Sequence, residues 1–206
     1  MRIAIVSDIH GNRTALEAVL ADLRITSPDL ILHGGDLADS GSSPAEIVDR
    51  VRDLGWQGVV GNTDELLFHP QLLEEFAGQS ASLQPLLATI QEMAAGTREA
   101  LGEERLAWLR DLSRLHVHGP IALVHASPES PWRAPTPEAS DAELELVYEP
   151  LGQPIAVYAC TSLLHSKCFG NARRQHRQRQ SFVRRRSPRG LPPAGRIEAG
   201  HPTRGV

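Results

Sequence analysis

The sequence predicts an α/β fold built on a parallel sheet, and two observations in its first 64 residues carry that prediction. Three short apolar runs alternate with stretches of helical period, the pattern of strand–helix–strand units. Each run also ends in a turn of the same kind, small residues beside a carboxylate, an amide or an imidazole. These turns are S-D-I-H-G-N at 7–12, G-G-D at 34–36 and G-N-T-D at 61–64. In such sheets ligands bind beyond the carboxyl ends of the strands. The repetition is informative, because independent helix caps have no reason to carry Gly–Asp or Gly–Asn at every strand end.

The elements follow in order. Ile3 to Val6 is a mostly apolar run stopped at Ser7, as a buried strand would be. Arg13 to Arg24 carries Leu16, Val19, Leu20 and Leu23 at helical spacing, with Asn12 as a plausible cap. Asp29 to His33 is a second strand. Pro44 to Leu54 is a second helix, with Ser43 as cap and Pro44 in its first turn. Trp56 to Val60 is a third strand. Glu65 to Ser113 is mostly helical by pattern, and its apolar stripes face a core or a lid. Arg114 to His118 and Ile121 to His125 form a hairpin across Gly119-Pro120. His116 and His118 share a face there and read as surface residues, whereas His125 ends an apolar run and opens a loop. Ser140 to Tyr148 is a last helix and Ile155 to Tyr158 a last strand. Beyond Ala159 no period persists, and disorder is expected.

Composition bounds the rest. The chain has 206 residues, enough for one domain with a sizeable core and a tail. A net charge of −4 conceals a split. Residues 1–158 carry 10 Arg, no Lys and 24 acidic residues, whereas residues 159–206 carry 11 basic residues and one Glu. The shift places a boundary near residue 159. Two cysteines, Cys160 and Cys168, make no disulfide framework. No apolar run is long enough to span a bilayer and no signal sequence opens the chain, so a soluble, cytoplasmic protein with no membrane partner is expected.

The strand-end residues Asp8, His10, Asp36, Asn62 and His125 form a mixed O/N donor set suited to Mn, Fe or Zn. A carboxylate shared between two such ions, about 3.5–4 Å apart, would let them activate a water and clamp a phosphate against it. That chemistry suits in-line attack of hydroxide on phosphorus. The four stretches D-I-H, G-G-D, G-N-T-D and V-H-A-S, in this order and near these spacings, resemble the calcineurin-like metallophosphoesterase superfamily. The nearest branch is that of small prokaryotic phosphoesterases similar to serine/threonine phosphatases and diadenosine tetraphosphatases. The resemblance covers residues 1–158 and implies a β-sandwich flanked by helices (α-β-β-α), with a helical insertion at about 65–113. It also implies a two-metal hydrolase of phosphate esters, acting on a phosphorylated small molecule, a nucleotide or a protein. Asp8 and His10 match first-metal ligands and Asp36 the bridging carboxylate. Asn62 matches a second-metal ligand that also touches phosphate, and His125 another second-metal ligand. Asn12 and Arg13 are candidate substrate contacts, which as a cap and a surface charge they need not be.

Two departures from the family pattern matter. The phosphoprotein-phosphatase branch reads G-N-H-E where this chain has Thr63 and Asp64, so the proton donor to the leaving group is open: Asp64, another histidine or water. Helix capping is the simpler role for Asp64. The family also ends its site with G-H-x-H after a strand, whereas here I-A-V-Y runs into Ala159-Cys160-Thr161-Ser162, and the isolated His165 is not expected to be a ligand. Loss of those histidines should weaken both metals and lower activity. We read the tail as an out-of-frame translation of an ordinary family C-terminus. With synonymous codons chosen freely, the coding for Ala172 to Ser187 can be read one nucleotide later as R-V-V-N-T-G-S-V-S-L-S-Y-D-G-D. That string is similar to the N-x-G-S-V-G-L-P-x-D-G-D segment of this branch. Resequencing the gene decides it. The alternative function is nucleic-acid binding through the Arg-rich tail, which would be salt-dependent. Only Phe169 and Phe182 are offered there for stacking.

Overall fold

The computed structural model describes residues 1–77, 81–136, 138–159 and 165–168. Strands β1 (Ile3–Val6), β2 (Leu30–His33) and β3 (Gln57–Gly58) form a parallel sheet in the order β1-β2-β3. Their crossovers are helices α1 (Arg13–Thr26) and α2 (Pro44–Asp53). A second sheet has the order β4-β5-β6-β7, with β4 (Leu115–His118), β5 (Ile121–Val124), β6 (Ile155–Tyr158) and β7 (His165–Cys168). Its β5–β6 pair is parallel and its outer pairs are antiparallel.

The period of two in a strand explains the layering. Ile3, Ile5, Leu30 and Leu32 meet Val59, Leu123, Val157, Ile121 and Ile155 in one apolar cluster drawn from both sheets. Their alternate neighbours Val6 and Ile31 pack instead with Leu16, Leu20, Ile47, Val48 and Val51 of α1 and α2. The first sheet is therefore covered on both faces, which is why its strands read as continuous apolar runs. On the outer face of the second sheet, Tyr148 of α6 (Asp141–Tyr148) packs with Val124, Ala156 and Tyr158. The layers run α-β-β-α, as the resemblance implied.

Local signals act largely as expected. Asn12 Oδ1 accepts from Ala15 N at 3.0 Å and caps α1. Ser140 and Glu143 form a reciprocal capping box on α6, whose hydrogen bonds lower the Glu143 carboxyl below its usual range. Ser43 occupies the cap position of α2 but makes no side-chain cap bond, and Pro44 starts that helix. The third strand is shorter than its apolar run: Val60 N turns away to donate to Ser113 O. The helical stretch comprises α3 (Asn62–Leu66), α4 (Gln71–Ala77) and α5 (Gln84–Arg110), the last broken at Gly102. It begins earlier than the pattern announced, inside the G-N-T-D turn. The backbone of β7 is a strand that H-S-K-C, with no apolar alternation, did not announce. The His165 side chain, Cys160 and the basic segment beyond β7 lie outside the described residues. Among the described residues no helix is long and apolar enough to cross a membrane.

Candidate metal centre

The loops after β1 and β2 keep pairing beyond their strands. Asp8 N donates to Gly35 O at 3.1 Å, His10 N to Asp36 O at 2.9 Å and Gly11 N to Leu37 O at 2.8 Å. This ladder holds Asp8, His10 and Asp36 with φ of 55°, 49° and 56°. Left-handed backbone costs a residue with a Cβ about 1–3 kcal/mol, and such strain clusters at functional sites. The third loop is pressed against the second. A Cβ on Gly61 would stand 2.1 Å from Asp36 Oδ1 and 2.3 Å from Asp36 N, so only glycine fits.

Asp36 lies at the centre and is buried. Its Oδ1 accepts from Thr63 N at 3.0 Å. Its Oδ2 lies 3.7 Å from His10 Nε2 and 3.5 Å from His125 Nε2. His10 Nε2 is also 3.9 Å from Asp8 Oδ1. Ligand atoms of Asp8, His10 and Asp36 all lie within 4.8 Å of one another. On the other side of Asp36, His125 Nε2 lies 3.0 Å from Asn62 Oδ1. The five residues singled out as metal donors are thus brought together, with one carboxylate between two histidines.

Both imidazoles are oriented by backbone carbonyls. His10 Nδ1 is 3.1 Å from Asp39 O and His125 Nδ1 is 2.6 Å from Gly34 O. A carbonyl oxygen only accepts, so each Nδ1 carries a proton, and in the neutral ring each Nε2 presents a lone pair. With the amide oriented as it is, His125 Nε2 and Asn62 Oδ1 are then two lone pairs facing each other, beside the Asp36 carboxylate. A shared divalent cation would resolve that crowding, and nitrogen and oxygen donors suit one.

The remaining candidates have other partners. Asn12 caps α1. The Arg13 guanidinium pairs with Glu46 at 3.3 Å, in a groove between α1 and α2 that Glu17 and Arg50 also line. Asp64 is fully buried. Its Oδ1 accepts from Leu37 N at 2.9 Å and Ala38 N at 3.3 Å, and its Oδ2 from Gly61 N at 3.2 Å. Burial, aided by the Asp36 charge, raises its carboxyl to about 6 against the pull of those three bonds. Asp64 therefore clips the second loop to the third.

Two supporting residues escaped the sequence reading. Asp39 orients His10 through its carbonyl, and its buried carboxylate accepts from Ser40 Oγ at 3.1 Å and Thr97 Oγ1 at 2.8 Å. Thr97 lies on α5 in the buried series Leu87, Ala94, Thr97, Leu101. A hydroxyl inside an apolar stripe at helical spacing was the available signal. It ties the helical insertion to the first histidine.

The chain is similar to known proteins over most of its length. The family profile described as calcineurin-like phosphoesterase matches residues 1–152. An uncharacterized protein of Methanocaldococcus jannaschii is 31% identical over 145 residues, covering 68% of this chain and 56% of that protein. A symmetrical bis(5'-nucleosyl)-tetraphosphatase of Methylococcus capsulatus is 31% identical over 151 residues, covering 71% of this chain and 50% of that one. Among solved structures, a metallophosphoesterase from Sphaerobacter thermophilus superposes with a TM-score of 0.57 at 30% identity, over 77% of this chain and 59% of that chain. The chain spans about half the length of the curated relatives it matches.

Proposed function

The chain belongs to the calcineurin-like phosphoesterase family, and from that premise we propose that it is a two-metal hydrolase of phosphate esters, its domain being residues 1–158. The observation that carries the reading is the position of Asp36 Oδ2, 3.7 Å from His10 Nε2 and 3.5 Å from His125 Nε2. One cation would be held by Asp8, His10 and Asp36, the other by Asp36, Asn62 and His125. When bound, the pair supplies Lewis acidity, which makes water nucleophilic near neutral pH and offsets charge on a phosphate.

The residues around that pair have separable parts. The carbonyls of Asp39 and Gly34 favour the tautomer of both imidazoles whose Nε2 lone pair is free to bind a metal. The Thr63 N–H occupies Asp36 Oδ1 and leaves Oδ2 to be shared. We assign Asp64 to positioning, because both its oxygens are engaged by backbone N–H groups, and leaving-group protonation to water. Asn62 is assigned a second role, contact with the phosphate. A substrate contact by Arg13 requires its release from Glu46, and one by Asn12 leaves its Oδ1 on the α1 cap.

The name of the Methylococcus relative makes a dinucleoside polyphosphate the first substrate to assay, beside p-nitrophenyl phosphate and bis-p-nitrophenyl phosphate. The reading expects turnover stimulated by Mn2+, abolished by EDTA and lost in Asp36→Asn. Turnover indifferent to Asp36→Asn would overturn it.

A further inference from the structure

We propose that Glu65 is a positioning residue for the Asn62/His125 half of the centre, acting through Trp132 and Arg114; the proposal rests on the two-metal reading above. Glu65 is 3% exposed, a carboxylate inside the protein. It stands three residues after Asn62 in α3, one helical turn along the same face. Its Oε2 accepts from Trp132 Nε1 at 2.7 Å, and its Oε1 from Arg114 Nη2. Both donors control the loop that leaves His125. Trp132 lies in that loop, and its backbone N donates to Ser130 Oγ at 3.1 Å. Within the same loop Ser127 N donates to Ser130 O at 3.0 Å. Arg114, at the foot of β4, also donates through Nη1 to Glu129 O at 3.4 Å. One carboxylate therefore ties the helix that begins with Asn62 to the loop that begins after His125.

Packing alone gives no reason for a charge there. Trp132 already packs against the helical-layer core, as Phe68 does. Apolar residues of similar volume often replace a buried ion pair without loss, so such a pair is weak evidence for stability. What a carboxylate adds is direction: two oxygens accept from two donors at fixed angles and set the spacing of the elements they join. The spacing at stake is that between Asn62 Oδ1 and His125 Nε2, now 3.0 Å. Residues that orient metal ligands typically change affinity by about 10–100-fold when replaced.

The test is Mn2+ titration of the full chain, followed by the electron paramagnetic resonance signal of the free aquo ion, with thermal unfolding alongside. Wild type should show two classes of site. Glu65→Gln, which keeps an acceptor for Trp132 but loses the charge facing Arg114, should keep one site unchanged and weaken the other by about 10-fold or more. Trp132→Phe, which keeps the ring and removes only the N–H, should weaken the same site. A lower melting temperature with both Mn2+ affinities intact in both variants would make Glu65 purely structural and overturn the proposal. Failure of wild type to bind a second Mn2+ would overturn the two-metal reading and this proposal with it. That result appears before any variant is compared, so the two failures are distinguishable.

Discussion

Replacing Gly61 by alanine adds a single methyl at the tightest point of the centre. Gly61 has φ −96° and ψ 172°, extended backbone that alanine adopts freely, so conformational strain does not enter. The cost is steric. The new Cβ would lie 2.1 Å from Asp36 Oδ1 and 2.3 Å from Asp36 N, where ordinary contact begins at 3.4 Å. Something must move by about 1 Å, and one of the two atoms is backbone, so rotating the Asp36 side chain relieves only half the clash. Overpacking of this kind costs about 1–3 kcal/mol, and the upper end is expected here. An ångström of misplacement at a reacting centre costs about 100-fold in rate. Urea unfolding of the metal-free protein reads the first effect, and Mn2+ affinity with Mn2+-dependent kcat reads the second. Gly96→Ala is the control: the glycine lies in α5, and beyond its own helix no atom of the described residues comes within 4 Å of the added Cβ, so alanine should stabilise by about 0.5–1 kcal/mol. Gly61→Ala with wild-type Mn2+ affinity and stability within about 0.5 kcal/mol would refute the reasoning.

Other predictions rest on separate observations. His33 is wholly buried, neither ring nitrogen has a hydrogen-bond partner among the described residues, and burial, with a smaller contribution from His116, lowers its pKa to about 4. It is neutral in the fold, whereas the unfolded chain takes up a proton near pH 6.5, so stability is present above that pH and lost as pH falls toward 4. Between pH 7 and 5 the His33 share of that loss should be about 2 kcal/mol; the raised Asp64 carboxyl opposes it in the whole protein, so it is read as the difference between wild type and His33→Phe in urea titrations at the two pH values. Thr97→Val leaves the buried Asp39 carboxylate without its 2.8 Å donor from α5, and urea unfolding should report a loss of about 1.5–3 kcal/mol. Mn2+ at 100 times its Kd should stabilise the protein by about 2.7 kcal/mol per site, read as a rise in melting temperature that EDTA reverses and Asp36→Asn lacks.

The sequence exposed the fold where one signal repeated. Three apolar runs with polar turns announced the first sheet, and Asn12, Pro44 and Ser140 announced helix starts within a residue or two. The candidate donors Asp8, His10, Asp36, Asn62 and His125 stood out because each follows a strand in the stretch that leaves it, and the structure places them near one another. What escaped was what no local pattern encodes. Helix capping was legible for Asp64, but not the start of α3 inside the G-N-T-D turn, three residues before the apolar stripe makes a helix visible. The roles of Asp39, Thr97, Glu65 and Trp132 depend on partners 29 to 67 residues away, which single-sequence periodicity does not register. Val60 leaves the third strand because Ser113 O, from the far end of the insertion, takes its N–H.

The central claim is that one carboxylate serves two cations. Anomalous scattering from crystals grown with Mn2+ tests it most directly. The account predicts two peaks about 3.5–4 Å apart, one on the Asp8 and His10 side of Asp36 Oδ2 and one on the Asn62 and His125 side. A single peak, or peaks that Asp36 does not touch, would contradict it.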